Sequence, residues 1–346
     1  MALRRWQRTV GTTVLVLGAL ALAGISATVG WRPFIGPKTR PLTNRTFDAS
    51  PARLERGKYI ASHVSGCLYC HSDLDIGPQG TGITFKAGTE GAGRSLVAEG
   101  LPFLATPNLT SHPTAGAARW SDDAFARAIR EGIGHDGRTL FPMMPYENYR
   151  HMSDEDLASV IVYLRTLKPI DRPTPKPQIP FPLNRLINNM PRPIDGPVPQ
   201  PDVSTPVKRG EYLVTIAGCG DCHTPMNDRG QYLTHLRLAG GAPVTGHDRP
   251  MAASRNITPS DDGIPYYTEE LFLEVIRTGR VRERQLSDLM PWKYYRGMTD
   301  EDLKAIFAYL KTVKPIDHFV DNAMAVTECK QCGLKHGGGE RNKANP

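Results

Sequence analysis

Residues 1–40 contain no acidic residue, and from Thr9 to Trp31 there is no charge of either sign. The rest of the chain lacks any marked excess of charge. The 346 residues carry a formal net charge of +7, and Arg4, Arg5, Arg8, Arg32, Lys38 and Arg40 supply six of those charges. The body, residues 41–346, is therefore close to neutral. It has no basic stripe for a phosphate backbone, which excludes nucleic acid as a partner. Alternating strand patterns are missing as well, so the expected fold class is mainly α. Cysteine is scarce, with six in all, and none stands alone. They fall in three Cys-x-x-Cys pairs.

The uncharged stretch is long enough to cross a bilayer, which takes about 20 apolar residues. Arg4, Arg5 and Arg8 precede it, and Trp31 falls where an interfacial aromatic sits. The expectation is a cytoplasmic N-terminus over residues 1–9 and a retained single-pass transmembrane helix over residues 10–31. A cleaved signal sequence is the other reading, since Ala21-Leu22-Ala23 offers a small-x-small site. Both readings export the body.

The chain repeats itself once. "RGKYIASHVSGCLYCH" (Arg56–His71) matches "RGEYLVTIAGCGDCH" (Arg209–His223), and Asn108-Leu109-Thr110 matches Asn256-Ile257-Thr258. "MPYENYRHMSDEDLASVIVYLRTLKPID" (Met144–Asp171) matches "MPWKYYRGMTDEDLKAIFAYLKTVKPID" (Met290–Asp317). A period this long means two homologous domains rather than a solenoid. They are placed at residues 52–168 and 207–317. Between them, residues 169–206 hold 12 prolines in 38 positions, which reads as an extended linker. Residues 318–346 form a C-terminal tail. Each domain reads as short helices joined by long loops. The clearest begin at Ser153 and Thr299, each with an aspartate three residues on, and continue in apolar stripes of helical spacing.

Cys67-Leu68-Tyr69-Cys70-His71 and Cys219-Gly220-Asp221-Cys222-His223 carry the attachment signature of c-type haem. One helical turn sets two sulfurs where they form thioethers with the two vinyl groups of one porphyrin. The histidine that follows points at the iron as proximal ligand. Zinc or redox pairs share the Cys-x-x-Cys spacing, but two copies inside one repeated domain favour two covalently bound haem c groups. The third pair, Cys329-Lys330-Gln331-Cys332-Gly333, has no histidine after it. An ordinary third haem is not expected there. A disulfide or unmodified pair in a loose tail is the favoured reading, and a metal site that adds His336 is the sharper one.

The second axial ligand must come from elsewhere. Met144 and Met290 sit at equivalent positions just before the C-terminal helix of each copy. A thioether is neutral and soft, and a His/Met pair raises the reduction potential. Met143, Met152 and Met298 compete with them as core fillers or ligands. His63, His135, His151, His235 and His247 are alternatives that do not recur in both copies. Arg130 and Arg277 match across the repeat and suit either a haem propionate or a solvated helix face. Asn108 and Asn256 suit a loop at the haem edge.

This order of motifs resembles the cytochrome c subunits of membrane-bound periplasmic dehydrogenases, the alcohol dehydrogenase cytochrome subunit family among them. The likeness covers about residues 52–317. It implies tandem class I cytochrome c domains, covalent haem c at Cys67/Cys70 and Cys219/Cys222, and axial pairs His71/Met144 and His223/Met290. The alcohol dehydrogenase subunits carry three CxxCH motifs, and this chain has two. The function implied is a diheme relay at the periplasmic side of a bacterial cytoplasmic membrane, not itself a catalyst. Its donor would be a periplasmic or membrane-bound dehydrogenase or respiratory complex. Its acceptor would be a downstream cytochrome, quinone or oxidase. The rival class is a diheme enzyme of peroxidase or thiosulfate-oxidising type, which needs a replaceable ligand at one iron.

Overall fold

A computed structural model of the chain describes residues 2–76, 83–96, 101–246, 249–287 and 289–343. It is mainly helical, and its strands form short two-stranded pairs among the described residues.

The first helix runs Ala2–Ala27. The stretch Arg4–Ala27 is long and apolar enough to cross a membrane, and its most apolar part is not buried against the rest of the protein. The helix ends earlier than the uncharged stretch does. Thr28 and Gly30 turn back to the carbonyls of Gly24 and Ile25, and Gly30 takes the left-handed conformation that closes a helix (φ 70°). Trp31 then donates its indole N–H to the Ser26 hydroxyl.

Both repeat copies are built alike. An N-terminal helix, Pro51–Tyr59 or Pro206–Ile216, crosses a C-terminal helix, Asp154–Arg165 or Asp300–Leu310. Glycine makes each crossing close. A Cβ on Gly57 would lie 1.9 Å from the Ser159 carbonyl oxygen, and one on Gly210 would lie 1.9 Å from that of Ala305. Leu157, Val160, Ile161 and Leu164 bury the apolar stripe of the first C-terminal helix, and Leu303, Ile306 and Leu310 that of the second. The matched motifs differ by one residue, since the first is longer. That extra residue is absorbed in a π-helical turn, Ile60–Val64, between Tyr59 and the first CxxCH.

The copies meet across an approximate two-fold. Arg56 pairs with Asp156, and Arg209 with Asp302 (2.8 and 2.6 Å). Each aspartate also accepts from a tyrosine of the other copy: Tyr212 to Asp156 at 2.7 Å, and Tyr59 to Asp302 at 2.5 Å. The caps Ser153 and Thr299 accept from the N–H of Asp156 and Asp302, as their spacing predicts. Their own N–H groups donate to the same two tyrosines instead of to a capping carboxylate (3.2 and 3.1 Å).

Two segments differ from their sequence reading. The proline-rich linker is not extended throughout. Residues 183–190 contain no proline, and there Leu183–Leu186 and Ile187–Asn189 coil into a short helix and a 3₁₀ turn with Ile187 buried. The C-terminal segment is not loose. Val326–Glu328 pairs antiparallel with Lys335–Gly337, and Cys329 and Cys332 are buried at the turn between them.

Candidate functional site

Each CxxCH motif forms a single helical turn, Cys67–His71 and Cys219–His223. A left-handed glycine, Gly66 or Gly218, sets its entry. His71 donates from Nδ1 to the carbonyl of Pro107 (2.9 Å), and His223 to that of Arg255 (2.7 Å). This fixes the tautomer and leaves Nε2 free to bind a metal. Burial lowers both pKa values, that of His71 to about 4, so both rings are neutral at physiological pH.

The carbonyls that hold the histidines are themselves held. The residue after each is the asparagine of Asn-x-Thr. Asn108 Oδ1 accepts from the N–H and hydroxyl of Thr110, while Nδ2 donates to the carbonyls of Ile170 and Arg172. Asn256 repeats the pattern with Thr258, Ile316 and His318. The asparagines thus pin the loop that orients each histidine to the segment after the C-terminal helix.

Beside each turn lies a mostly apolar cleft, of about 1260 Å³ in the first copy and 1450 Å³ in the second, open mouths included. Cys67, Cys70, His71 and Met144 all line the first; Cys219, Cys222, His223 and Met290 all line the second. Met144 and Met290 occupy the same tight turn: the N–H of Tyr146 and Trp292 returns to their carbonyls at 2.8 Å in both. Tyr149 and Tyr295 close the floor by donating to the carbonyls of Ser65 and Ala217, both at 2.5 Å. A flat apolar macrocycle fits these walls, with two thiols and one neutral imidazole at one side.

The competing side chains are placed as follows. Met143 and Met152 also line the first cleft and Met298 the second, with Met152 and Met298 buried. His135 reaches the first cleft but stacks on Trp120 (4.3 Å, 13°). His63 bonds the carbonyl of Tyr294. His247 lies outside the described residues. Arg130 and Arg277 do not face the clefts. Arg130 ties its helix to Asp154 and the Met152 carbonyl, and Arg277 to Asp300 and the Arg296 carbonyl. Arg138 and Arg284 are the arginines matched at the cleft edge. Both stand six residues before the Met-Pro methionine. A one-residue difference in the preceding turn hides this when the copies are aligned from the helix.

The two sites back onto one another. Tyr69, inside the first CxxCH, packs on Tyr294 beside the second Met-Pro turn (ring centroids 5.5 Å apart). At the equivalent place, Asn148 donates to Asp221, inside the second CxxCH, at 2.6 Å.

A family model described as "Cytochrome c" matches residues 54–168. The chain is 29% identical over 296 residues to the cytochrome c subunit of a quinone alcohol dehydrogenase of Gluconacetobacter polyoxogenes, covering 79% of this chain and 58% of that one. It is 28% identical over 293 residues to a fructose dehydrogenase cytochrome subunit of Gluconobacter japonicus, covering 80% and 56%. Against a protein named "Diheme cytochrome c-type" from Cereibacter sphaeroides it is 28% identical over 292 residues, covering 81% and 93%. The chain thus spans less than two thirds of the two dehydrogenase subunits and nearly all of the third relative.

Proposed function

Starting from a chain that carries a cytochrome c domain, and whose homologues are cytochrome c subunits of dehydrogenases together with a diheme cytochrome c, we propose that it is a diheme electron relay. One observation carries the reading: two matched clefts, each with a CxxCH turn, an oriented neutral histidine and a Met-Pro turn, set back to back. Haem c, when bound, supplies a one-electron centre.

The chain's own residues do the rest. Cys67/Cys70 and Cys219/Cys222 would hold the macrocycles covalently, and His71 and His223 would offer Nε2 to the iron. Met144 and Met290, which line the same clefts, would supply a second ligand and leave no position for substrate. Arg138 and Arg284 offset propionate charge at the mouths. Tyr294 and Asn148 keep the two sites at short range. The donor is a dehydrogenase at the periplasmic side of the bacterial cytoplasmic membrane. The Ala2–Ala27 helix anchors the relay there, and a cytochrome, quinone or oxidase receives the electrons.

Reductive titration of the purified full-length protein tests this. The relay takes up two electrons per chain, is low-spin throughout when ferric, and shows no spectral change with peroxide or carbon monoxide. A resting high-spin iron, or a site that takes an exogenous ligand, favours the diheme enzyme.

A further inference from the structure

Among the described residues, one further group of metal-ligating side chains converges outside the two clefts. His318, Cys329, Cys332 and His336 are all buried, and one ligand atom from each lies within 4.8 Å of the other three. We propose that these four residues form a structural zinc site of the Cys₂His₂ type, distinct from both haem sites.

The geometry is that of a site with its ligands already turned inward. A tetrahedral zinc with Zn–S about 2.3 Å and Zn–N about 2.0–2.1 Å sets its ligand atoms about 3.3–3.8 Å apart. His318 Nε2 and Cys329 Sγ are 3.4 Å apart. Each histidine has its other nitrogen committed to a carbonyl: His318 Nδ1 to Ala239 and His336 Nδ1 to Gly337, both at 3.0 Å. Such bonds fix the tautomer that exposes Nε2 to a metal. The ring of His318 has room only because Gly241 is glycine, since a Cβ there would lie 2.5 Å from the His318 Cε1.

The two cysteines sit in the turn of the Val326–Glu328/Lys335–Gly337 hairpin. Gly333 adopts φ 72°, which lets the chain fold back so that the N–H groups of Cys332 and Leu334 reach the sulfurs of Cys329 and Cys332. A Cys329–Cys332 disulfide would account for the sulfurs and not for the histidines. His336 is 2% exposed, and its Nε2 has no nitrogen or oxygen partner among the described residues; it faces the Cys329 sulfur. A buried nitrogen of that kind is costly unless something fills the place it faces. Two thiols and two imidazoles in a closed, dry set select zinc in a structural role, with no ligand position left over. Zinc enters as the dication and the two thiol protons leave.

The site braces the second CxxCH. The carbonyl that holds His318 belongs to Ala239, and the next residue, Gly240, donates to the His223 carbonyl at 2.8 Å. Arg255, whose carbonyl orients His223, sends its guanidinium to the Val320 carbonyl and to Asp321.

The test uses full-length, haem-loaded protein purified in detergent without chelator. Metal analysis is expected to find one zinc per chain beside the haem iron. Zinc X-ray absorption is expected to show two sulfurs at about 2.3 Å and two nitrogens at about 2.0 Å. Cys332→Ser and His336→Ala each lower the zinc content at least tenfold and leave haem per chain unchanged. If those variants do not accumulate, the absorption spectrum of the unaltered protein decides alone. Zinc without a sulfur shell overturns the proposal. So does protein that stays zinc-free after incubation with equimolar zinc, or an intact mass two hydrogens short from a Cys329–Cys332 disulfide.

Discussion

Met144 and Met290 line the two clefts, and if they cap the irons as proposed, their removal is legible in the spectrum. Met144→Ala and Met290→Ala should each remove half of the near-infrared sulfur-to-iron band of the ferric protein. Each should also lower one of two potentials, because the neutral thioether favours the ferrous state. Loss of the band from both sites in one variant would mean that the methionine assignments are wrong. In the proposed relay Arg138, which also pairs with Asp136 at 3.1 Å, and Arg284 would act on the same quantity from the cleft edge. Replacing either by alanine leaves propionate charge unopposed and stabilises the ferric form. One potential should fall by roughly 10–40 mV, the equivalent of an exposed ion pair. The two arginines also show what a sequence reading misses. Arg130 and Arg277 match on the helix and attract notice, yet both are engaged at the helix caps. Arg138 and Arg284 match only when the copies are aligned backwards from Met-Pro.

Among the elements, the crossed helices carry the interface between the copies. Tyr59 and Tyr212 each join an aspartate of the other copy and the N–H of its helix cap. Tyr59→Phe or Tyr212→Phe should lower unfolding stability by about 1–3 kcal/mol, since a buried carboxylate loses a donor and the N–H of a helix cap loses its acceptor. Chemical denaturation of the haem-loaded variants checks this. The Asp122–Glu131 helix is held by Arg40, which reaches Asp123 and Glu131 at 2.8 Å each. Burial pushes the Asp123 carboxyl up, but hydrogen bonds from Arg40 and Thr43 outweigh it and hold the pKa below 3.8. A carboxyl lowered in the folded state stabilises above its unfolded pKa and loses that contribution as pH falls through the folded one. Stability measured by urea should therefore drop as pH falls below about 4, and Arg40→Ala should flatten that slope. A slope unchanged in Arg40→Ala would reject the assignment. The helix starts were legible from Ser153 and Thr299 because capping is a local property. The tyrosine contacts were not, because they join residues about 240 and 56 positions apart.

For the whole molecule, the repeat and the CxxCH turns were legible because both are written in contiguous residues. The C-terminal segment was not. His318 stands eleven residues before Cys329, and only the folded hairpin brings His336 to the same point. The Ala2–Ala27 helix predicts that the haem protein fractionates with membranes and needs detergent for release. Recovery in the soluble periplasmic fraction, with an N-terminus near Ala27, would reject the anchor and leave export standing. Two haems held by two motifs leave a direct mark on the mass of the denatured chain. That mass is expected to rise by two haems that survive denaturation, with haem-bearing peptides containing Cys67/Cys70 and Cys219/Cys222. A single haem, a third one at Cys329/Cys332, or haem released on denaturation would contradict it.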